Sequence, residues 1–143
     1  MIRHHDWPER LIAYLAGQRR LIFRWGERDC ALMCWDAIRA MTGIDLGAPF
    51  RGRYASREEA QAIITEFCGS PAATLEHLAE IVFRAAGCPP LAAIRAQRGD
   101  AVLADTELGP SLGIVGPDGV YFAALRGTTR LPLRACRRAW RTR

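Results

Sequence analysis

The spacing of apolar residues changes at "CPPL", Cys88 to Leu91. Before that point apolar side chains recur three and four residues apart. Beyond it they come in short runs separated by glycine and proline. A helix repeats every 3.6 residues and a strand every two, so the two patterns cannot belong to one kind of element. Helices first and strands second is an α+β layout. With 143 residues the chain is long enough for one domain with its own core, and it is read as a single domain over 1–143.

Four helices are predicted. The first opens at "DWPE", with Asp6 as cap and Pro8 in the first turn, carries Leu11, Ile12 and Leu15 on one face, and ends at Gly17. The second is expected from Asp29 to about Met41, stopped by Gly43. Cys30, Met33, Cys34, Ala37, Ile38 and Met41 lie on one stripe of it that should face the core. The third begins at a capping box, Ser56 with Glu59, and should bury Ala60, Ile63, Ile64 and Phe67 before Gly69. The fourth is expected from about Pro71 to Gly87, with Leu75, Leu78, Ala79 and Val82 inward. "GDAVLAD", "SLGIVG", "GVYFAAL" and "TTRLPL" then read as strands of a small antiparallel sheet, and "GPDG", Gly116 to Gly119, as a hairpin turn.

All 20 basic residues are arginine, the net charge is +5, and seven arginines fall between Arg126 and Arg143. A basic segment of this kind can bind phosphates. It is also the composition of a solvated edge or of a charged interface rim, and without a stacking pattern those readings are preferred. Trp140, set among Arg137, Arg138 and Arg141, suits an interface anchor and equally a core residue. No apolar run is long enough to span a membrane, and "MIRHHDWPERL" lacks the stretch of a signal peptide, so synthesis in the cytoplasm is expected. Five cysteines without a pairing pattern suit reduced thiols.

Candidate chemistry centres on "FRWGERDCALMCWDA", where Cys30 follows Asp29 at the expected start of a helix. The free amides and dipole of a helix N-terminus favour a thiolate, whereas the charge of Asp29 opposes one. The alternative is that Cys30 is a small apolar residue opening the core stripe. Phe23, Trp25 and Trp35 around it could line a substrate groove or anchor the segment to the core. A nucleophilic cysteine needs a base. His4 and His5 precede the first helix, His77 is mid-helix, and no histidine lies in the strand region. Cys30 and Cys34 stand one turn apart, but there is no Cys/His cluster and no glycine-rich phosphate loop, so neither a metal nor a cofactor is expected.

"FRWGERDCALM" resembles the approach to the catalytic helix of NlpC/P60 cell-wall peptidases at Phe23, Trp25, Gly26, Asp29 and Cys30. "RGDAVLA" is similar to that family's P-G-D-hydrophobic strand at Gly99 and Asp100, and "SLGIVGPDGVYFAA" to its H-V-G-I strand and hairpin. The resemblance implies a papain-like α+β domain with Cys30 as the nucleophile position. It also places Ser111 where the family carries its catalytic histidine, and Ala31 and Leu32 where it carries Ser-Gly. A serine hydroxyl offers no basic site near neutral pH. General-base catalysis is worth ~10²–10⁴-fold, about 3–5 kcal/mol of barrier, so its loss outweighs a retained cysteine.

The chain also resembles a group of phage and prophage proteins that share W-G-x-x-D-C, here Trp25 to Cys30, with "RGRY" at Arg51 to Tyr54 and a G-x-x-x-L-P run at Gly127 to Pro132. That likeness implies a tail-associated structural or assembly protein with its peptidase activity lost, made in the host and carried to the virion tail, with phage tail or tail-tip proteins as partners. The alternative is a thiol hydrolase of peptidoglycan peptides using a different base. Nucleic-acid binding through the arginines is the least favoured reading.

Overall fold

A computed structural model describes all 143 residues. Helix α1 spans Trp7–Gly17 and buries Leu11 and Leu15, while Ile12 stays in solvent. Asp6 does not cap it through its side chain; that carboxylate instead takes a hydrogen bond from Arg10, 2.7 Å away. Helix α2 spans Leu32–Thr42 and begins three residues later than expected, but Gly43 ends it as predicted, in the left-handed conformation at φ +77°. Eight of its eleven residues are buried, so α2 is the central helix of the domain.

Helix α3 spans Arg57–Cys68, with the Ser56 hydroxyl accepting from the Glu59 amide at 3.1 Å. Its apolar face departs from expectation. None of its residues is fully buried, and Phe67 is 45 % exposed. Helix α4 spans Leu75–Ala85, later than the predicted start at Pro71 because Thr74 and His77 form its capping box. Leu75, Leu78, Ala79 and Val82 point inward as the periodicity required.

The strands form one antiparallel sheet in the order β1-β6-β2-β3-β4-β5: β1 Pro90–Leu91, β2 Ala101–Thr106, β3 Gly109–Val115, β4 Val120–Ala123, β5 Thr128–Leu131 and β6 Cys136–Trp140. The sheet has two buried faces. Ala101, Leu103, Leu112, Ile114 and Trp140 join the core under the helices. Val102, Ala104, Val120, Phe122, Cys136 and Ala139 form a smaller core on the opposite face, against Ala93 and Leu133 from two short 3₁₀ turns. The "GPDG" turn joins β3 to β4, closed by the Gly116 amide on the Gly119 carbonyl at 2.8 Å.

The C-terminal segment is not a tail. It runs as β6 between β1 and β2, inside the sheet. Trp140 is fully buried and stacked on Phe83 with ring centroids 4.9 Å apart, and its indole N–H donates to Glu80 at 2.9 Å. Arg137 pairs with Glu76 and Asp105, and Arg138 with Glu76 and Glu80. Trp140 is therefore core rather than a surface anchor, and two of the clustered arginines flanking it are neutralised within the domain. No helix is long and apolar enough to cross a membrane.

Candidate functional site

The segment leading to α2 is held by backbone contacts that its glycine and arginine make possible. Gly26 sits at φ +79°, and a Cβ there would lie 2.1 Å from the Tyr54 carbonyl oxygen, so only glycine lets "RGRY" pack against "FRWG". Arg28 is buried and donates to the Gln18 side chain at 2.7 Å, to the Ala124 carbonyl at 3.3 Å and to the Gly127 carbonyl. Asp29 is also buried. Its carboxylate accepts from the amides of Gly26, Ala31 and Leu32 at 2.9–3.0 Å and from the Tyr54 hydroxyl. Asp29 thus caps the approach to α2, although the first regular helical residue is Leu32.

Cys30 lies in the turn between that carboxylate and the helix. Its carbonyl accepts from the Leu112 amide at 2.7 Å, which ties the start of α2 to β3. Cys30 as a residue is partly exposed, at the wall of a cavity of about 210 Å³. Trp25, Trp35 and Phe50 line one side, and Ile63 and Ile64 of α3 with Leu75 and Leu78 of α4 line another. This explains the half-exposed apolar face of α3: Ile63 and Ile64 border the void as well as the packed core. The polar groups of the wall are Asp29, Cys30, Tyr54, Arg57, Gln61 and Thr74.

This wall supplies no base for the thiol. Burial first, and then the charge of Asp29, push the Cys30 thiol up to about 12. Tyr54 is pushed upward too, by burial and by the Asp29 carboxylate to which it donates. Gln61 is engaged with the Ala73 carbonyl at 2.9 Å, and Thr74 is engaged with His77. The His77 ring accepts from the Thr74 amide at 3.0 Å, and neither it nor His4 or His5 lines the cavity.

Ser111 is not across the cavity from Cys30. Opposed residues of an antiparallel pair share a face. Ser111 opposes Ala104, which belongs to the core on the far side of the sheet, while its neighbour Leu112 belongs to the helix side. The Ser111 hydroxyl is spent on the Gly109 carbonyl at 3.1 Å and on Thr106 Oγ1 at 3.2 Å. The groups that β3 and the turn before it bring to the cavity are Pro110 and Leu108. The alternation of "PSLGI" carries this information: with Leu112 and Ile114 turned to the helices, position 111 must face away.

Of the aromatics around the cysteine, Trp25 and Trp35 line the cavity, whereas Phe23 packs edge-on against Trp25 at 4.9 Å. Tyr54 and Arg57 reach the site from the loop before α3 and from its first turn, so no local pattern marks them as its members. Cys34, one turn from Cys30, is fully buried with its sulfur 3.3 Å from the Gly113 carbonyl, and all five cysteines are free. No three His, Cys, Asp or Glu side chains come close enough together to hold a metal ion.

Fold and site together define an α+β domain whose central helix begins at a carboxylate-held turn beside an apolar cavity. The chain belongs to the family described as a domain of unknown function (DUF6950), which matches residues 2–142. No curated protein matches the chain in sequence.

Proposed function

We propose that the chain is a phage or prophage tail-associated assembly protein on an NlpC/P60-like, papain-like domain, in which the Cys30 cleft holds a group rather than cleaving one. The observation that carries the loss of cleavage is the thiol itself: it borders an apolar cavity, has no histidine in the wall, and is pushed toward its neutral form by burial and by Asp29. A thiol without its base is a poor nucleophile at neutral pH. The papain-like part of the reading draws support from the order of parts. A turn bearing Cys30 opens a central helix, that helix packs on an antiparallel sheet, and Gly99 and Asp100 lead into β2. One feature favours the hydrolase alternative: Cys30 stands at the approach to a helix beside a cavity, which is where a nucleophile would stand.

Incubation of the intact chain with muropeptides decides between the two. No turnover is expected, and iodoacetamide at pH 6 should label Cys30 no faster than an ordinary thiol. Turnover that Cys30→Ser abolishes would sink the assembly reading in favour of the hydrolase. The intact chain should also retrieve a tail protein from a phage lysate, and failure to retrieve any virion protein counts against a tail role.

A further inference from the structure

The cavity beside Cys30 joins three properties. It is mostly apolar, and at about 210 Å³ no side chain of the domain fills it. A dry cavity of about 150 Å³ lined by aliphatic and aromatic groups accepts benzene, so this one has room for a chain of about eight carbons. The core behind its wall is also unfinished: Trp35 is 1 % exposed, and its buried indole N–H has no partner. A buried N–H without an acceptor is uncommon in a finished core.

The third property is charge. Arg57, in the first turn of α3, contributes to the lining, yet it forms no ion pair with any carboxylate of the chain. Its guanidinium reaches only the Leu108 carbonyl at 3.3 Å and the face of Trp25, 5.7 Å from the ring centroid. Asp29, the one carboxylate in the wall, has its oxygens taken up by three amides and the Tyr54 hydroxyl and forms no hydrogen bond with Arg57. A guanidinium is suited to bidentate recognition of a carboxylate.

We infer that this cavity binds a medium-chain aliphatic monocarboxylate, with its hydrocarbon between α3, α4 and Trp35 and its carboxylate on Arg57. The inference rests on the reading of the Cys30 cleft as a site that holds rather than cleaves. A neutral Cys30 suits such a ligand, since a thiolate would repel the carboxylate. The chain carbons replace the void with contacts, and the carboxylate meets a guanidinium that no carboxylate of the chain occupies.

Titration calorimetry on the intact chain with butanoate, hexanoate, octanoate, octanol and octylamine tests this. Affinity should rise about fourfold per added methylene up to octanoate. Octanol should bind about tenfold more weakly than octanoate, and octylamine more weakly still. Arg57→Gln, at a solvent-exposed position, should bring octanoate down to the level of octanol. Ile64→Trp should fill the cavity and abolish both.

Absence of octanoate binding at millimolar concentration overturns the inference, as does affinity independent of chain length or indifferent to Arg57→Gln. Tighter binding of N-acetylphenylalanine than of octanoate overturns it in favour of the carboxyl end of a polypeptide. None of these outcomes bears on muropeptide turnover, so the failure of this inference and the failure of the assembly reading are separable.

Discussion

Two tryptophans sit on the helix side of the same sheet with opposite surroundings. Trp140 on β6 stacks on Phe83 at 4.9 Å, gives its N–H to Glu80, and lies beneath Arg138, whose charge is met by Glu76 and Glu80. Trp35 on α2 stacks on Phe50 at 5.3 Å, but its N–H has no acceptor and one side of it borders a void. Both are almost wholly buried. Burial alone therefore does not tell a stabilising aromatic from one that walls a site; completion of its contacts does. The region that looked like an interface, the arginine-rich C-terminus, is built into the sheet as structure, with Arg141 Nε its one buried nitrogen left without a hydrogen bond. The region that looked like lost chemistry, around Cys30, is the one left open.

The largest expected effect lies on the finished side. Trp140→Ala should lower stability by about 3–5 kcal/mol in denaturant unfolding, since it empties a packed site between the sheet and α4 and takes one of three donors from Glu80. A loss under about 1 kcal/mol would mean that β6 is not held as described.

Next comes the frame of the open side. Asp29→Ala leaves three amides and a phenol without their acceptor, and should cost about 3 kcal/mol by the same measurement. A nearly neutral result would break the claim that the cavity has a rigid frame around it.

A smaller effect should appear with acid. Glu80 is held below its ordinary 4.5, first by the Trp140 indole N–H and then by Arg84 and Arg138. A carboxylate whose folded-state value is depressed stabilises the fold above its unfolded value, and that contribution fades as the pH falls through the folded value. Unfolding midpoints below pH 4.5 should therefore drop more steeply in the native chain than in Glu80→Gln, which should itself lose about 1 kcal/mol at neutral pH. Identical acid limbs would remove Glu80 from the account of Trp140.

The finest comparison pairs Trp35→Phe with Trp140→Phe. Each removes an indole N–H, but only Trp140 loses a hydrogen bond by it. Trp140→Phe should be worse by about 1 kcal/mol, and equal costs would show that Trp35 has an acceptor after all.

Local signals in the chain were sufficient for much of this architecture. The change of spacing at Cys88, the Ser56–Glu59 cap, the Gly43 stop and the "GPDG" turn depend on residues no more than four positions apart, and such interactions act whatever the rest of the chain does. The stripe from Met33 to Met41 likewise announced the central helix, and "RDC" announced that Asp29 organises its start. Other features depended on partners far away in sequence. "CRRAW" has two adjacent arginines and little alternation, so nothing local marks it as an interior strand; pairing with β2 and β1, and acids on α4 and β2 that meet the charges, make it one. Ser111 looked like the partner of Cys30 by motif position, but the side of the sheet it faces was set by Leu112 and Ile114 packing under the helices. The cavity was the least legible feature of all. A void belongs to no residue: it is the space that α3, α4 and the turn at Cys30 leave between them once each has found its place on the sheet.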